Sequence, residues 1–428
     1  MLDHAVSSRT VELSVLIPAL DEAESLRVLL PELRTALTRM NLSFEILVVD
    51  GGSTDETRGV AESSGARFLR QSRKGYGNAL GDGFEAARGD YVLTMDADYS
   101  HEPSFIASLW AAREAADVVI ASRYVEGGSA EMSPLRALLS RLLNRVYRRF
   151  LDLEYHDLSS GFRLYRVSAL ATVEPVGHDF DYLPELLVLL YAQGYRIREI
   201  PFSYRPRKGG RSHAKLLKFG WAYARTLVRM RRLRVSVRSA DYDSRAFDSL
   251  IPFQRYWQRK RFEIVTGYLD PDGPVLDIGC GSSRIIQSLP RGVGLDVQLN
   301  KLRFLRGRVP MLLASSLSHL PFRDRSFNQV VCSEVIEHVP RDRVNLSEFR
   351  RVLAPGGTLV LGTPDYSSRI WTTIERVYGT VCPGGYAHEH INHYTEEGLR
   401  RELEDCGFRV DVVKKICRSE MIFKAVRR

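Results

Sequence analysis

A chain of 428 residues is longer than one hydrophobic core usually serves, so two or three domains are expected. Its apolar and charged fractions, 44% and 26%, are ordinary for a soluble globular protein, and no apolar run approaches the roughly 20 residues that would span a bilayer. The net charge of +9 is local: residues 201–240 hold twelve Lys or Arg and no Asp or Glu, which leaves −3 for the rest. Cys280, Cys332, Cys382, Cys406 and Cys417 form no CxxC pair, so neither a disulfide framework nor a zinc site is indicated. The start lacks the basic flank and unbroken apolar stretch of a signal peptide, and a cytoplasmic chain is expected.

In chain order, residues 13–18 and 45–50 are short β-rich runs, each followed by a helix-like stretch, and Tyr91 to Met95 and Val118 to Ser122 repeat the pattern. Such alternation predicts a mainly parallel sheet. Residues 135–150 and 182–193 read as helices. On a helical wheel Leu216, Phe219, Gly220, Tyr223, Leu227 and Met230 share one face of 214–234, widened by Leu217, Ala224 and Val228. Lys215, Lys218, Arg225 and Arg229 take the other face. Residues 235–250 are polar and unpatterned and read as a linker. A second βα series follows, with strands near 275–278, 293–296, 329–333 and 358–363. The domains expected are 1–234, with the basic amphipathic helix near 214–234, and 251–428.

Each series carries acidic and glycine residues at strand ends, where an open α/β sheet binds nucleotide-like ligands. In the first, Val48-Val49-Asp50-Gly51-Gly52-Ser53-Thr54-Asp55 precedes Met95-Asp96-Ala97-Asp98. Asp50 can accept hydrogen bonds from a ribose or base, and the glycines permit the turn after it. Asp96 and Asp98 bracket one residue, so both carboxylates can reach a cation that holds a diphosphate. Oxygen-only ligation favours Mg²⁺ or Mn²⁺, which would neutralise the leaving diphosphate as a Lewis acid.

Residues 12 to about 215 resemble a family 2 glycosyltransferase of the dolichol- or polyprenyl-phosphate mannosyltransferase type. The resemblance rests on Ile17-Pro18-Ala19-Leu20-Asp21-Glu22, the Asp50 and Asp96 motifs, Lys74-Gly75-Tyr76-Gly77-Asn78-Ala79, and Asp96 through Pro103. Ala121-Ser122-Arg123-Tyr124, Asp157 through Tyr165, and Arg207-Lys208-Gly209-Gly210-Arg211-Ser212-His213 complete it. It implies a GT-A fold in which Pro18, Glu22, Asp50 and Asp96 bind the sugar nucleotide and Asp96 and Asp98 hold the metal. It also implies Arg123 and Arg207 as catalytic cations, with Arg123, Arg136, Ser140, Arg207 and His213 around the lipid phosphate. Ser100 stands where relatives often carry Gln. His213 stands where Lys is usual, which makes that contact depend on pH. A lipid phosphate is already an anion, so cationic positioning can replace the general base that a hydroxyl acceptor needs. Direct displacement predicts inversion at the anomeric carbon.

A polyprenyl phosphate resides in a bilayer, so the enzyme is expected to lie on the cytoplasmic membrane face. The amphipathic segment 214–234 would supply cations for an anionic lipid surface. The bland alternative is a helix packed on the catalytic domain with its basic face in water. No aromatic platform or nucleic-acid motif accompanies the charge, so no nucleic-acid partner is expected.

In the second series Val275-Leu276-Asp277-Ile278-Gly279-Cys280-Gly281 runs into a glycine turn, and Asp296 ends the next strand, where an acid can grip ribose hydroxyls. Ser282-Ser283 replaces the later glycine of a dinucleotide fingerprint, which disfavours NAD. Residues 270–428 resemble class I S-adenosylmethionine-dependent methyltransferases, through this motif, Leu320 through Val331, Cys332-Ser333-Glu334-Val335-Ile336-Glu337-His338-Val339, and Arg351 through Leu359. The resemblance implies a second Rossmann-like fold and a cofactor site of Asp277, Gly279, Gly281, Asp296 and Glu334. Ser283 and Asn328 depart from a common Gly and Asp. His338, His390 and His393 are base candidates. His388-Glu389-His390-Ile391-Asn392-His393 reads either as metal ligands or as a polar loop beside the acceptor pocket.

The expectation is a bifunctional enzyme. One half transfers a sugar, with mannose the family's commonest, from a nucleotide sugar to a polyprenyl phosphate; the other methylates an unidentified, conceivably glycan, acceptor. The alternatives are a glycosyltransferase with a non-lipid acceptor, or an inactive glycosyltransferase-like module tethering a methyltransferase to membranes.

Overall fold

The computed structural model describes residues 11–205, 216–381 and 390–428, with the side chains of 216–219 and 377–381 left aside. The chain forms two compact units, one of Met1–Tyr191 with Tyr195–Arg231, the other of Ala192–Gly194 with Arg232–Arg428.

The strands of the first unit are Val11–Ala19 (β1), Phe44–Asp50 (β2), Arg67–Arg70 (β3), Gly89–Thr94 (β4), Val118–Ser122 (β5), Ser129–Ala130 (β6), Arg163–Arg166 (β7), Ile197–Pro201 (β8) and Ser203–Tyr204 (β9). Seven form one sheet in the order β3-β2-β1-β4-β7-β5-β8, and β6 pairs with β9. Only β7 runs against its neighbours in the large sheet. Leu13, Val15, Leu16 and Ile17 are fully buried, with Ser14 buried among them, as in a central strand covered on both faces. Helix Ala23–Arg39 covers one face with Leu26, Leu29, Leu30, Leu33 and Leu37, a stripe at helical spacing. With β2 on one side of β1 and β4 on the other, the chain reverses at β1, and a crevice opens at the strands' carboxyl ends.

The second unit has Val275–Ile278 (β10), Gly292–Asp296 (β11), Met311–Ala314 (β12), Phe327–Ser333 (β13), Leu353–Pro364 (β14), Phe408–Ile416 (β15) and Glu420–Arg427 (β16), in the order β12-β11-β10-β13-β14-β16-β15. β16 is antiparallel to both neighbours; β10 through β14 pair in parallel. Leu276 and Ile278 enter one core layer and Val275 the other, and Leu359, Leu361 and Val360 divide likewise, as the two-residue period of a strand requires.

The strands and helices expected in both halves are present, but residues 235–250 differ from the linker reading. They carry helix Tyr242–Phe247 and belong to the second unit. Their order comes from ion pairs rather than apolar periodicity. Asp241 receives the fully buried Arg234, whose Nη2 lies 2.9 Å from Oδ2. Asp243 receives the buried Lys301 at 2.9 Å.

The amphipathic segment forms helix Leu216–Arg234; Lys215 lies outside the described residues, as does the side chain of Lys218. Arg229, assigned to the free basic face, pairs with the buried Glu185 at 2.6 Å, because a buried carboxylate needs a cation. Beside it, the buried Thr226 donates to Asp181 at 2.8 Å. No helix among the described residues is long and apolar enough to cross a membrane.

Candidate active sites

In the first unit the strand-end loops and two helices enclose a cavity of about 1000 Å³. The end of β1 contributes Pro18 to its wall, and the loops after β1, β2 and β4 contribute Glu22, Gly51, Gly52, Asp96 and Asp98. Helices Pro134–Leu151 and Leu216–Arg234 contribute the apolar Leu139, Leu143, Val146 and Leu227, together with Arg136 and Ser140. Asp50 is buried at the end of β2, and its carboxylate accepts from the backbone N–H of Gly52 and Ser53 at 3.0 Å each. That bonding shapes the loop. Gly52, at φ +101°, supplies the left-handed residue the turn needs.

Asp96 receives Tyr76 Oη at 3.3 Å, and its backbone N–H donates to His101 Nδ1 at 2.9 Å. Burial, joined by the charge of Asp98 and opposed by His101, holds the Asp96 carboxyl above its usual range. Asp98 Oδ1 accepts from Ser100 N–H at 3.1 Å. Two adjacent carboxylates, one penalised by burial, fit a hard divalent cation, which would relieve both burial and repulsion. Tyr76 and His101 were not singled out from sequence. His101 is buried against Phe162, with ring centroids 4.7 Å apart, and lies five residues past Asp96 in the quoted motif.

Arg123 lines the cavity but is already committed. It grips Asp157 through Nε at 2.8 Å and Nη2 at 2.7 Å, and Nη2 also reaches Ser159 Oγ at 2.8 Å. Burial alone would raise the Asp157 carboxyl; Arg123 overrides it and holds that group below its usual value. A cation so neutralised offers a phosphate less charge than its sequence position suggests. Lys74 and Arg136 are further cations on the wall. Ser140 Oγ accepts from Tyr124 Oη at 2.7 Å. Arg207 and His213 lie outside the described residues.

A second cavity, of about 480 Å³, lies within the second unit and brings together all five expected cofactor residues: Asp277, Gly279, Gly281, Asp296 and Glu334. Gly279 and Gly281 have φ of +68° and +53°. A Cβ on Gly279 would stand 2.4 Å from Val335 Cγ2, and one on Gly281 would stand 2.6 Å from Asp243 Oδ2. Asp296 accepts from Gly281 N–H and Gln298 N–H, each at 2.8 Å. Asp277 Oδ2 has no hydrogen-bond partner, and burial with the Asp296 charge pushes this carboxyl up to about 8. Glu334, at φ +59°, meets Arg261 at 3.0 Å, yet burial still holds it well above the carboxylate range. Carboxyls short of donors and positive charge fit a cofactor that carries a sulfonium, an ammonium and a ribose diol.

Sequence reasoning missed Arg261, which forms two 2.7 Å bonds to the buried Glu420 and so ties β16 to the cofactor wall. It also missed Asp243 and Lys301, for which no local pattern gave a signal. His338 and His390 line this cavity; His393 stacks on Tyr366 with centroids 4.0 Å apart. Burial and the neighbouring His338 push His390 down to about 4, so it is neutral at pH 7. His388 and Glu389 lie outside the described residues.

Comparisons with known proteins agree with this geometry. The Glycosyl transferase family 2 profile matches residues 14–173, and a Methyltransferase domain profile matches residues 276–361. A polyprenol monophosphomannose synthase of Mycolicibacterium smegmatis is 33% identical over 225 residues, 49% of this chain and 83% of the relative. A dolichol-phosphate mannosyltransferase of Pyrococcus furiosus is 34% identical over 216 residues, and a low-salt glycan biosynthesis hexosyltransferase of Haloferax volcanii is 28% identical over 234. These cover 48% and 53% of this chain, which spans only 60% and 56% of those two relatives' lengths. A glucosyl-3-phosphoglycerate synthase structure from Mycobacterium tuberculosis aligns with 52% of this chain and 80% of its own, at 22% identity and a TM-score of 0.41, too distant to bear on activity. The chain belongs to glycosyl transferase family 2, with a methyltransferase domain in its C-terminal half.

Proposed function

We propose that the first unit transfers a hexosyl group from a nucleotide diphosphate sugar to a polyprenyl phosphate, with inversion, and that the second methylates an acceptor from S-adenosylmethionine. The observation that carries the first reading is the two-natured cavity, with acidic strand-end loops on one wall and Leu139, Leu143, Val146 and Leu227 on another. A sugar hydroxyl acceptor has no use for the apolar wall; a prenyl chain does. The relatives named as polyprenol- and dolichol-phosphate enzymes favour the same acceptor and mannose as the sugar.

In this reading Pro18 and Glu22 hold the nucleoside, and Asp50 acts by shaping the loop beside it. Asp96 and Asp98 hold Mg²⁺ or Mn²⁺, which supplies Lewis-acid neutralisation of the diphosphate. Lys74, Arg123, Arg136, Ser140, Arg207 and His213 place the acceptor phosphate, whose own oxyanion attacks the anomeric carbon. Cofactor binding falls to Asp277, Gly279, Gly281, Asp296 and Glu334, and S-adenosylmethionine supplies an electrophilic methyl group.

We place the protein peripherally on the cytoplasmic membrane face. Leu135, Leu138, Leu142, Val146 and Phe150 form an exposed apolar stripe on helix Pro134–Leu151, interleaved with Arg141, Arg145, Arg148 and Arg149. Trp221, 76% exposed, and Val228 add apolar surface on helix Leu216–Arg234.

The test is transfer from a panel of labelled sugar nucleotides to polyprenyl phosphate in liposomes, with Mg²⁺ or Mn²⁺. Metal-dependent transfer from one donor is expected, and its product becomes the first methylation substrate to try. Failure of every donor, with folded protein and metal present, would overturn the lipid-acceptor reading.

A further inference from the structure

Glu337 sits in the short 3-10 turn Ile336–His338 that follows β13, fully buried, with one carboxylate oxygen in use. Its Oε2 accepts from Thr363 Oγ1 at 3.0 Å; Oε1 has no hydrogen-bond partner and lies 3.9 Å from His338 Nε2. Buried carboxylates are ordinarily paired or bound to metal. A distant segment is fastened to this turn. Ile391 and Asn392 donate their backbone N–H groups to the Glu337 carbonyl at 2.8 and 3.1 Å, and Asn392 Nδ2 donates to Ile336 O at 3.0 Å.

That clamp sets the His390 ring 4.8 Å from the His338 ring, and one donor atom from each of Glu337, His338 and His390 falls within 4.8 Å of the others. Behind His390, Nδ1 lies 2.9 Å from both Glu375 Oε1 and Tyr366 Oη, and Tyr366 Oη donates to Glu375 Oε1 at 2.8 Å. With the Tyr366 hydrogen committed to Glu375, a proton on Nδ1 is held by that carboxylate and the Nε2 lone pair is left for a metal.

We propose that Glu337, His338 and His390 bind a divalent first-row transition-metal ion, with Thr363 and Glu375 as positioning residues. Two imidazoles and one carboxylate suit Zn²⁺, Mn²⁺, Fe²⁺ or Co²⁺ better than Mg²⁺. Among the described residues three protein ligands gather here, which in a four-coordinate site leaves one position open, and His338 and His390 line the cavity that holds Asp277 and Asp296. An acceptor oxygen bound at the open position becomes more acidic, so the site selects a hydroxyl as the methylated group. This last step rests on the methyltransferase reading above. The acceptor hydroxyl loses its proton to solvent, and its oxygen forms the O–CH3 bond as the S–CH3 bond of S-adenosylmethionine breaks. The electron pair of that bond stays on sulfur.

The experiment is a Co²⁺ titration of the full chain carrying Asp98→Ala, which removes one of the first unit's two paired carboxylates, followed by visible absorption. Binding of S-adenosylhomocysteine to the Asp98→Ala parent tests the methyltransferase reading separately, and thermal unfolding by circular dichroism reports folding of every variant. A saturable visible band is expected, weakened at least ten-fold by His390→Ala and about 10- to 100-fold by Glu375→Gln, with an unfolding midpoint matching the parent's. No band, or Co²⁺ affinities of His390→Ala and Glu337→Gln that both equal the parent's, would overturn the site.

Discussion

The two units share an architecture and oppose each other in electrostatics. Both are seven-stranded sheets with one strand reversed, and both gather acidic residues at strand ends. In the first unit cations stand among the acids, and one on the cavity wall, Arg123, is neutralised within the wall by Asp157. In the second unit Asp277 and Glu334 are held above the carboxylate range, with Arg261 the countercharge to Glu334 and Glu420. On the proposed function, one fold class serves two ligands of opposite sign: a diphosphate needs cations brought to it, whereas a sulfonium cofactor needs buried carboxyls that its own positive charge can ionise.

The largest expected effect separates the two directly. Asp98→Ala should lower sugar transfer by roughly 10²- to 10⁴-fold, the scale of several kcal/mol of Lewis-acid stabilisation, and leave methylation unchanged. Parallel assays of both reactions on one preparation check this, and equal loss of both would break the comparison.

Arg123→Ala tests the neutralised cation. Removing one partner of a buried pair leaves Asp157 uncompensated and should destabilise the first unit by about 3 kcal/mol, read as a lowered urea midpoint. If stability holds and only transfer falls, Arg123 serves substrate rather than the wall.

Gly279→Ala probes the second site sterically. With φ at +68° and a side-chain atom 2.4 Å from the new Cβ, S-adenosylhomocysteine affinity should fall about 10- to 100-fold, on the scale of the roughly 1–3 kcal/mol of strain such a site stores. Sugar transfer should be untouched.

The pH dependence is subtler. Asp277, pushed up to about 8, is protonated in the folded ligand-free unit at pH 7 and ionised in the unfolded chain. Its contribution to stability is therefore present below pH 4 and lost as pH rises toward 8. Binding of S-adenosylhomocysteine, whose ammonium and ribose donors favour the carboxylate, should tighten several-fold between pH 6.5 and 8.5 with proton uptake by buffer. Calorimetry in buffers of different ionisation enthalpy reads that proton, and Asp277→Asn should flatten the profile.

The smallest effect concerns the surface. Trp221→Ser should reduce binding to anionic liposomes by about ten-fold or less, on the order of 1.4 kcal/mol, and leave transfer to a detergent-dispersed acceptor unchanged. Sedimentation with vesicles decides it.

Much of this molecule was legible along the chain. Strands β1, β2, β4 and β5 and strands β10, β11, β13 and β14 announce themselves as short apolar runs, because a covered parallel strand has no polar face to interrupt it. The Asp96, Asp98, Asp277 and Asp296 positions follow, because a crevice of this fold lies at strand ends. The edge strand β15, whose residues mix charged and apolar, gave no such run, and the apolar β12 is only four residues long. The segment 235–250 looked unstructured because its order depends on Arg234 and Lys301, which sequence spacing does not connect to it.

The sequence by itself determined the two sheets, the ligand-bearing strand ends and the glycines that need positive φ, since these rest on local periodicity and backbone sterics. Only the tertiary structure decided how charge is spent. It gave Arg123 to Asp157, Arg229 to Glu185 and Arg261 to Glu420, and it set His390 beside Glu337 across more than fifty intervening residues. Ion pairs and ligand clusters depend on burial and distance, and neither is encoded in the spacing of residues along a chain.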